Sequence, residues 1–135
     1  TMDIYIENLD MSCCHGLRSF TATNIKSLNL SGCLHLDTVN LGIVDSLNLS
    51  KCDKLKNVSV SSPTEFSKFN LSYCKILVNV DSLSGSFVLN ISHCPLIYDI
   101  SKLKQVKFLD ISNCKSLKIT VLRQDDRHIL TQTFG

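Results

Sequence analysis

Seven cysteines and four histidines are the residues of this 135-residue chain whose types could do chemistry. Thiols and imidazoles hold metals, and they serve as nucleophile and base in covalent catalysis. Spacing decides among these uses. The cysteines at 14, 33, 52, 74, 94 and 114 lie 19, 19, 22, 20 and 20 residues apart, and Cys13 stands beside the first of them. A structural zinc site needs two ligands about two to four residues apart and a second such pair, which this series lacks. An odd number of thiols cannot pair completely. Side chains recurring in one register also point the same way, which suits the disulfide torsion badly. His15, His35, His93 and His128 show no metal spacing and no Ser or Asp partner pattern. No P-loop, paired-carboxylate or nucleophile-elbow motif is present. These residues predict no catalytic centre, no cofactor and no metal.

The cysteines instead mark a repeat. Leu9-Asp10-Met11-Ser12-Cys13-Cys14 is followed by Leu28-Asn29-Leu30-Ser31-Gly32-Cys33 and Leu47-Asn48-Leu49-Ser50-Lys51-Cys52. Phe69-Asn70-Leu71-Ser72-Tyr73-Cys74, Leu89-Asn90-Ile91-Ser92-His93-Cys94 and Leu109-Asp110-Ile111-Ser112-Asn113-Cys114 complete the set. Each reads apolar, Asn or Asp, apolar, Ser, any residue, Cys. An apolar residue follows each cysteine three positions on, at Leu17, Leu36, Leu55, Leu77, Ile97 and Leu117. Three further on, five copies give Phe20, Val39, Val58, Val80 and Ile100. Three residues before each motif stand Ile6, Ile25, Val44, Phe66, Ser86 and Val106. Cys13 falls outside the cysteine column.

The elements that must position these residues are short strands. The Leu-Asn-Leu triplets alternate apolar and polar, and no sustained helical stripe appears. Each rung is expected to hold a strand, a fixed turn carrying Ser and Cys, a second extended stretch and a return loop. One rung cannot bury its apolar face alone, so about six must stack into a parallel sheet with one continuous core. Only the return half varies in length, and Ser61-Ser62-Pro63-Thr64-Glu65 is read as an insertion there.

The pattern resembles the leucine-rich repeat family. Ile25-Lys26-Ser27-Leu28-Asn29-Leu30-Ser31-Gly32-Cys33 follows its L-x-x-L-x-L-x-x-C hallmark, and Leu36 comes one position later than usual. This cysteine-containing variant is similar to repeats in plant immune receptors and F-box adaptors, and to the repeats of internalin-like surface proteins. The resemblance implies a short-repeat, β-rich solenoid of about six rungs and a non-catalytic protein-recognition scaffold. The alternative is a structural spacer or targeting segment of a larger adhesin, effector or ligase. The fixed-length stretch is expected to be the concave one. An internalin-like arrangement would instead put Val39, Val58 and Val80 there.

The recurring residues build the scaffold and the varying ones carry specificity. Cysteine is small, prefers burial and has a weak S–H donor, so the column is read as a reduced structural ladder. The serines are expected to bond the turn backbone, and the Asn and Asp column to project from the core and bond along the ladder. Beside the serines the residue changes from rung to rung, through Gly32, Lys51, Tyr73, His93 and Asn113. Lys51, Tyr73 and His93, with Lys68, Phe87 and Phe108, form the candidate partner-binding face. Phe87, Val88 and Phe108 are either an exposed patch or covered by a cap. Five Asn-x-Ser sequons, at Asn29, Asn48, Asn57, Asn70 and Asn90, read as by-products of the repeat.

Composition bounds the rest. A net charge of +2 from 14 basic and 12 acidic residues is not that of a phosphate-backbone binder, so a protein partner is expected and no nucleic acid. The clusters Lys51, Lys54, Lys56 and Lys102, Lys104, Lys107 read as solvated turns. No apolar run reaches the ~18 residues of a membrane span. A single domain over 1–135 is expected, with repeats over 4–121 and a tail or C-terminal cap over 122–135. Reduced cysteines favour a cytoplasmic location, with a bacterial surface or secreted effector as the alternative.

Overall fold

In the computed structural model, residues 4–117 and the strand at 129–131 are described; the expected polar tail otherwise lies outside the described residues. Seven parallel strands stack in chain order, the pattern of a solenoid whose rungs pair only with their neighbours. They are β1 (Tyr5–Asp10), β2 (Ser19–Asn29), β3 (Thr38–Asn48), β4 (Asn57–Asn70), β5 (Val88–Asn90), β6 (Phe108–Asp110) and β7 (Ile129–Thr131). The motifs pair in register: Leu9, Leu28, Leu47, Phe69, Leu89 and Leu109 form one ladder column, and the Asn and Asp residues after them form the next. The fold is thus a β-rich solenoid of about six rungs with almost no helix, and β7 pairs onto β6.

The columns read from the sequence make the core. The apolar residues flanking the Asn column, the cysteines and the residues three beyond them are buried from the second rung onward, as are those six beyond in the second to fifth rungs. In the first rung their equivalents Ile6, Leu9, Met11, Cys14, Leu17 and Phe20 are half-buried against the core edge. Ser86, the polar member of its column, is also buried, and its hydroxyl donates to the Leu83 carbonyl at 2.7 Å.

The return half differs between the two ends of the molecule. In the 19-residue rungs the second extended stretch does not end in a loop. It runs straight into the next motif, so β2 and β3 are single 11-residue strands. Their inward residues alternate at first, as in Val39-x-Leu41, which is strand periodicity. In the 20-residue rungs the inward residues are three apart: Val80, Leu83 and Ser86, then Ile100, Leu103 and Val106. That is the period of a 3-10 turn, where side chains three apart eclipse, and the chain forms one at Asp81–Leu83 and another at Ser101–Leu103. Just before these turns Asn79 and Asp99 accept the N–H groups of Asp81 and Ser101, both at 2.9 Å.

Two corners depend on particular residues. Gly42 packs so closely on the strand before it that a Cβ there would lie 2.3 Å from the Thr23 carbonyl oxygen. The insertion in β4 lies later than the sequence suggests. Ile43 still pairs with Ser62 and Val44 with Pro63, and the register jumps only then, to Ser46 with Lys68. The extra residues therefore come after Pro63. Phe66, expected in a core column, stands 70% exposed, while Ser67 is fully buried and accepts the Phe87 N–H at 2.9 Å.

Candidate functional site

The turn that carries the varying residues is built by three local interactions. The side-chain oxygen of each Asn or Asp accepts the N–H of the serine two residues on, at 2.9 to 3.0 Å in all six copies. This turn is closed by an oxygen that both residue types possess, which explains why Asn and Asp interchange in the column. The column works within its own rung rather than along the ladder. Only Ser50 and Ser112 add a hydroxyl bond, to Asn48 and Asp110 at 2.7 Å each. Asp10 is held below the usual carboxylate range chiefly by the backbone N–H of Ser12.

The residue after the serine then turns left-handed. The φ angles are 57° at Cys13, 60° at Lys51, 62° at Tyr73, 58° at His93 and Asn113, and 70° at Gly32. Cys13 therefore belongs to the varying column, as its first member, and is not a stray. A glycine in the same place one rung later was the signal in the sequence. The two rungs also touch: a Cβ on Gly32 would meet the Cys13 Sγ at 3.1 Å.

The third interaction is made by the cysteines. Each thiol from the second rung onward donates to a backbone carbonyl one rung earlier. Cys33 reaches Met11, Cys52 reaches Leu30 and Cys74 reaches Leu49, each at 3.2 Å. Cys94 reaches Leu71 at 3.1 Å and Cys114 reaches Ile91 at 2.9 Å. A buried carbonyl at a turn needs a donor, and a thiol is small enough to fit in the core beside it. All seven cysteines are free, and five are buried. Burial pushes the Cys33 thiol up, and those of Cys52 and Cys114 up to about 11. Cys74 is also raised, by the hydrogen bond it shares with the Cys94 side chain and by burial. The same bond lowers Cys94; the four raised thiols are poor nucleophiles, since the reactive species is the thiolate.

Left-handed residues on successive rungs lie in line, and their side chains meet. Tyr73 and His93 stack with centroids 4.3 Å apart and planes 5° apart. The side-chain amide of Asn113 then approaches His93 Nε2 at 3.3 Å. Lys51, Tyr73, His93 and Asn113 form one wall of an open groove of about 690 Å³. The other wall is the column directly after the cysteines: Leu34, Asp53, Lys75, Pro95 and Lys115. Lys75 and Asp53 form an ion pair at 3.5 Å across adjacent rungs.

The remaining candidates sit elsewhere. Lys68, Phe87 and Phe108 are exposed and do not line this groove. Phe87 and Phe108 pack edge to face, 5.5 Å apart at 82°, and Lys68 and Phe108 pair with Val88 from its two sides in the ladder. The candidate residues thus divide into two groups rather than one surface. Lys54 and Lys56 line a smaller groove with Arg18, His35 and Asp37, where Lys56 pairs with Asp37 at 3.8 Å. Among the described residues no three His, Cys, Asp or Glu side chains converge as metal ligands, and no helix is long and apolar enough to cross a membrane. His128 lies outside the described residues.

Comparison with protein-family models, curated proteins and solved structures returned no match.

Proposed function

We propose that the chain is a non-catalytic protein-recognition module of the leucine-rich repeat kind, with the left-handed column as its specificity surface. The observation that carries this reading is the set of side chains kept at positions that favour glycine. A left-handed φ costs an L-residue roughly 1–2 kcal/mol, less for Asn, yet five of six positions hold something other than glycine. The surrounding turn is uniform from rung to rung, so these residues are not needed to make it. Strain kept without a folding role points to function. Their chemistry differs at every rung, as a surface selected for one partner requires.

The leucine-rich repeat assignment is supported by the motif and by the thiol that bonds the turn carbonyl at the family's Asn/Cys position. Free thiols on every rung suit a reducing compartment, which supports the cytoplasm as the location. The test is a triple variant of the full chain, Lys51→Gly, Tyr73→Gly and His93→Gly. Glycine removes the side chains and suits the backbone, so the circular dichroism spectrum should not change. Loss of at least tenfold in affinity for a partner identified by crosslinking is expected. Unchanged affinity rejects this surface.

A further inference from the structure

The groove along the left-handed column carries a second conclusion, about the chemistry of what it holds; it rests on the recognition reading above. Lysines dominate its charge. Asp53 is the one acid in the walls, and Lys75 already neutralises it at 3.5 Å. Lys51, on the third rung, and Lys115, on the sixth, have no carboxylate within ion-pair distance among the described residues. Three rung steps of ~4.8 Å place them about 14 Å apart along the solenoid. An extended polypeptide rises about 3.4 Å per residue, so that span is roughly four residues.

The aromatic pair between them decides against other ligand classes. Tyr73 and His93 come from adjacent rungs, and their centroid distance is close to the rung spacing. Their planes therefore lie across the solenoid axis and their facing surfaces cover each other. The pair therefore presents ring edges to the groove that it lines. A nucleobase or a sugar ring needs an open ring face to stack on. An extended peptide needs only edges to pack against, hydrogen-bonding groups and cations at its own spacing.

We propose that this groove binds an extended acidic polypeptide segment along the solenoid axis, with one carboxylate at Lys51 and a second about four residues on at Lys115. The ligand class can be tested with a phage-displayed library of random dodecapeptides selected on the full-length protein at low salt. A parallel selection uses the Lys51→Gln, Lys115→Gln variant, whose two side chains are exposed. Enriched peptides should carry Asp or Glu at a spacing of four. A synthetic copy should lose at least tenfold in affinity on the variant, and equally when its own two acids become amides. Enrichment of peptides without acids, equal binding to the variant, or no enrichment overturns the proposal. Competition by an oligothymidylate at equal concentration also overturns it, in favour of nucleic acid. A partner that needs Tyr73 and His93 but ignores both lysines would sink the acidic segment and leave the recognition surface standing.

Discussion

Cys52 and Cys114 hold their turns through a proton that base can remove. Both thiols are raised in the fold, from an ordinary 9.0 to about 11. A group raised on folding contributes stability that is complete below its unfolded value and is lost as pH rises through the folded one. Stability should therefore fall between about pH 9 and pH 11, by on the order of 2 kcal/mol per thiol. Urea unfolding at the two ends of that window measures it, and Cys52→Ser with Cys114→Ser should remove these two thiols' share of the dependence. The left-handed positions give the opposite kind of prediction. Lys51→Gly relieves strain and breaks no stack, so it should raise unfolding free energy by about 0.5–1 kcal/mol, read from the urea midpoint. Tyr73→Gly gains the same relief but loses the His93 stack and should come out near neutral. At this scale the sequence was legible where residues recur: six aligned cysteines announce one buried turn position. It was less legible at Cys13, because two adjacent cysteines look like a pair until Gly32 is set beside the first. The acceptor of each thiol could not be read at all, since it lies one rung away.

A single residue separates the two kinds of rung. Val39-Asn40-Leu41 keeps strand alternation, whereas Val80-Asp81-Ser82-Leu83 spaces its inward residues for a 3-10 turn. Deleting Ser82 restores both the alternation and the 19-residue length, at the cost of the hydroxyl bond to the Val58 carbonyl at 2.9 Å. The return at 80–88 should then become strand, seen as extended-range backbone chemical shifts; retained 3-10 shifts would show that rung length is not the switch. Residues three apart were visible in the sequence, but the merging of return and motif strands was not. It depends on pairing along the whole of β2 and β3, including the Gly42 corner, which no local pattern specifies. The insertion was misplaced for a related reason. Counting back from the Phe69 motif puts Phe66 in the core, but the ladder holds Pro63 opposite Val44 and expels the residues just beyond it.

Each rung of the whole molecule leans only on its neighbours, so stability is expected to vary along the axis. The first rung's core residues are half-buried, while those of the middle rungs are sealed. Amide hydrogen exchange should be faster over residues 5–17 than over 44–58, and the gap should persist as denaturant is added below the global transition. Uniform protection would mean that the rungs unfold as one block. The number and order of rungs were fully legible, because each motif carries its own turn signature. The groove was legible only as a list of varying residues, because its second wall comes from a column that varies as freely as any surface. The Tyr73–His93 stack has one more consequence, and it is optical. The chain has no Trp and three Tyr, so its intrinsic emission comes from Tyr5, Tyr73 and Tyr98. Of these, Tyr73 alone is stacked on an imidazole among the described residues. Whatever wedges the two rings apart should change the tyrosine emission, which gives the groove a built-in, label-free light signal for occupancy.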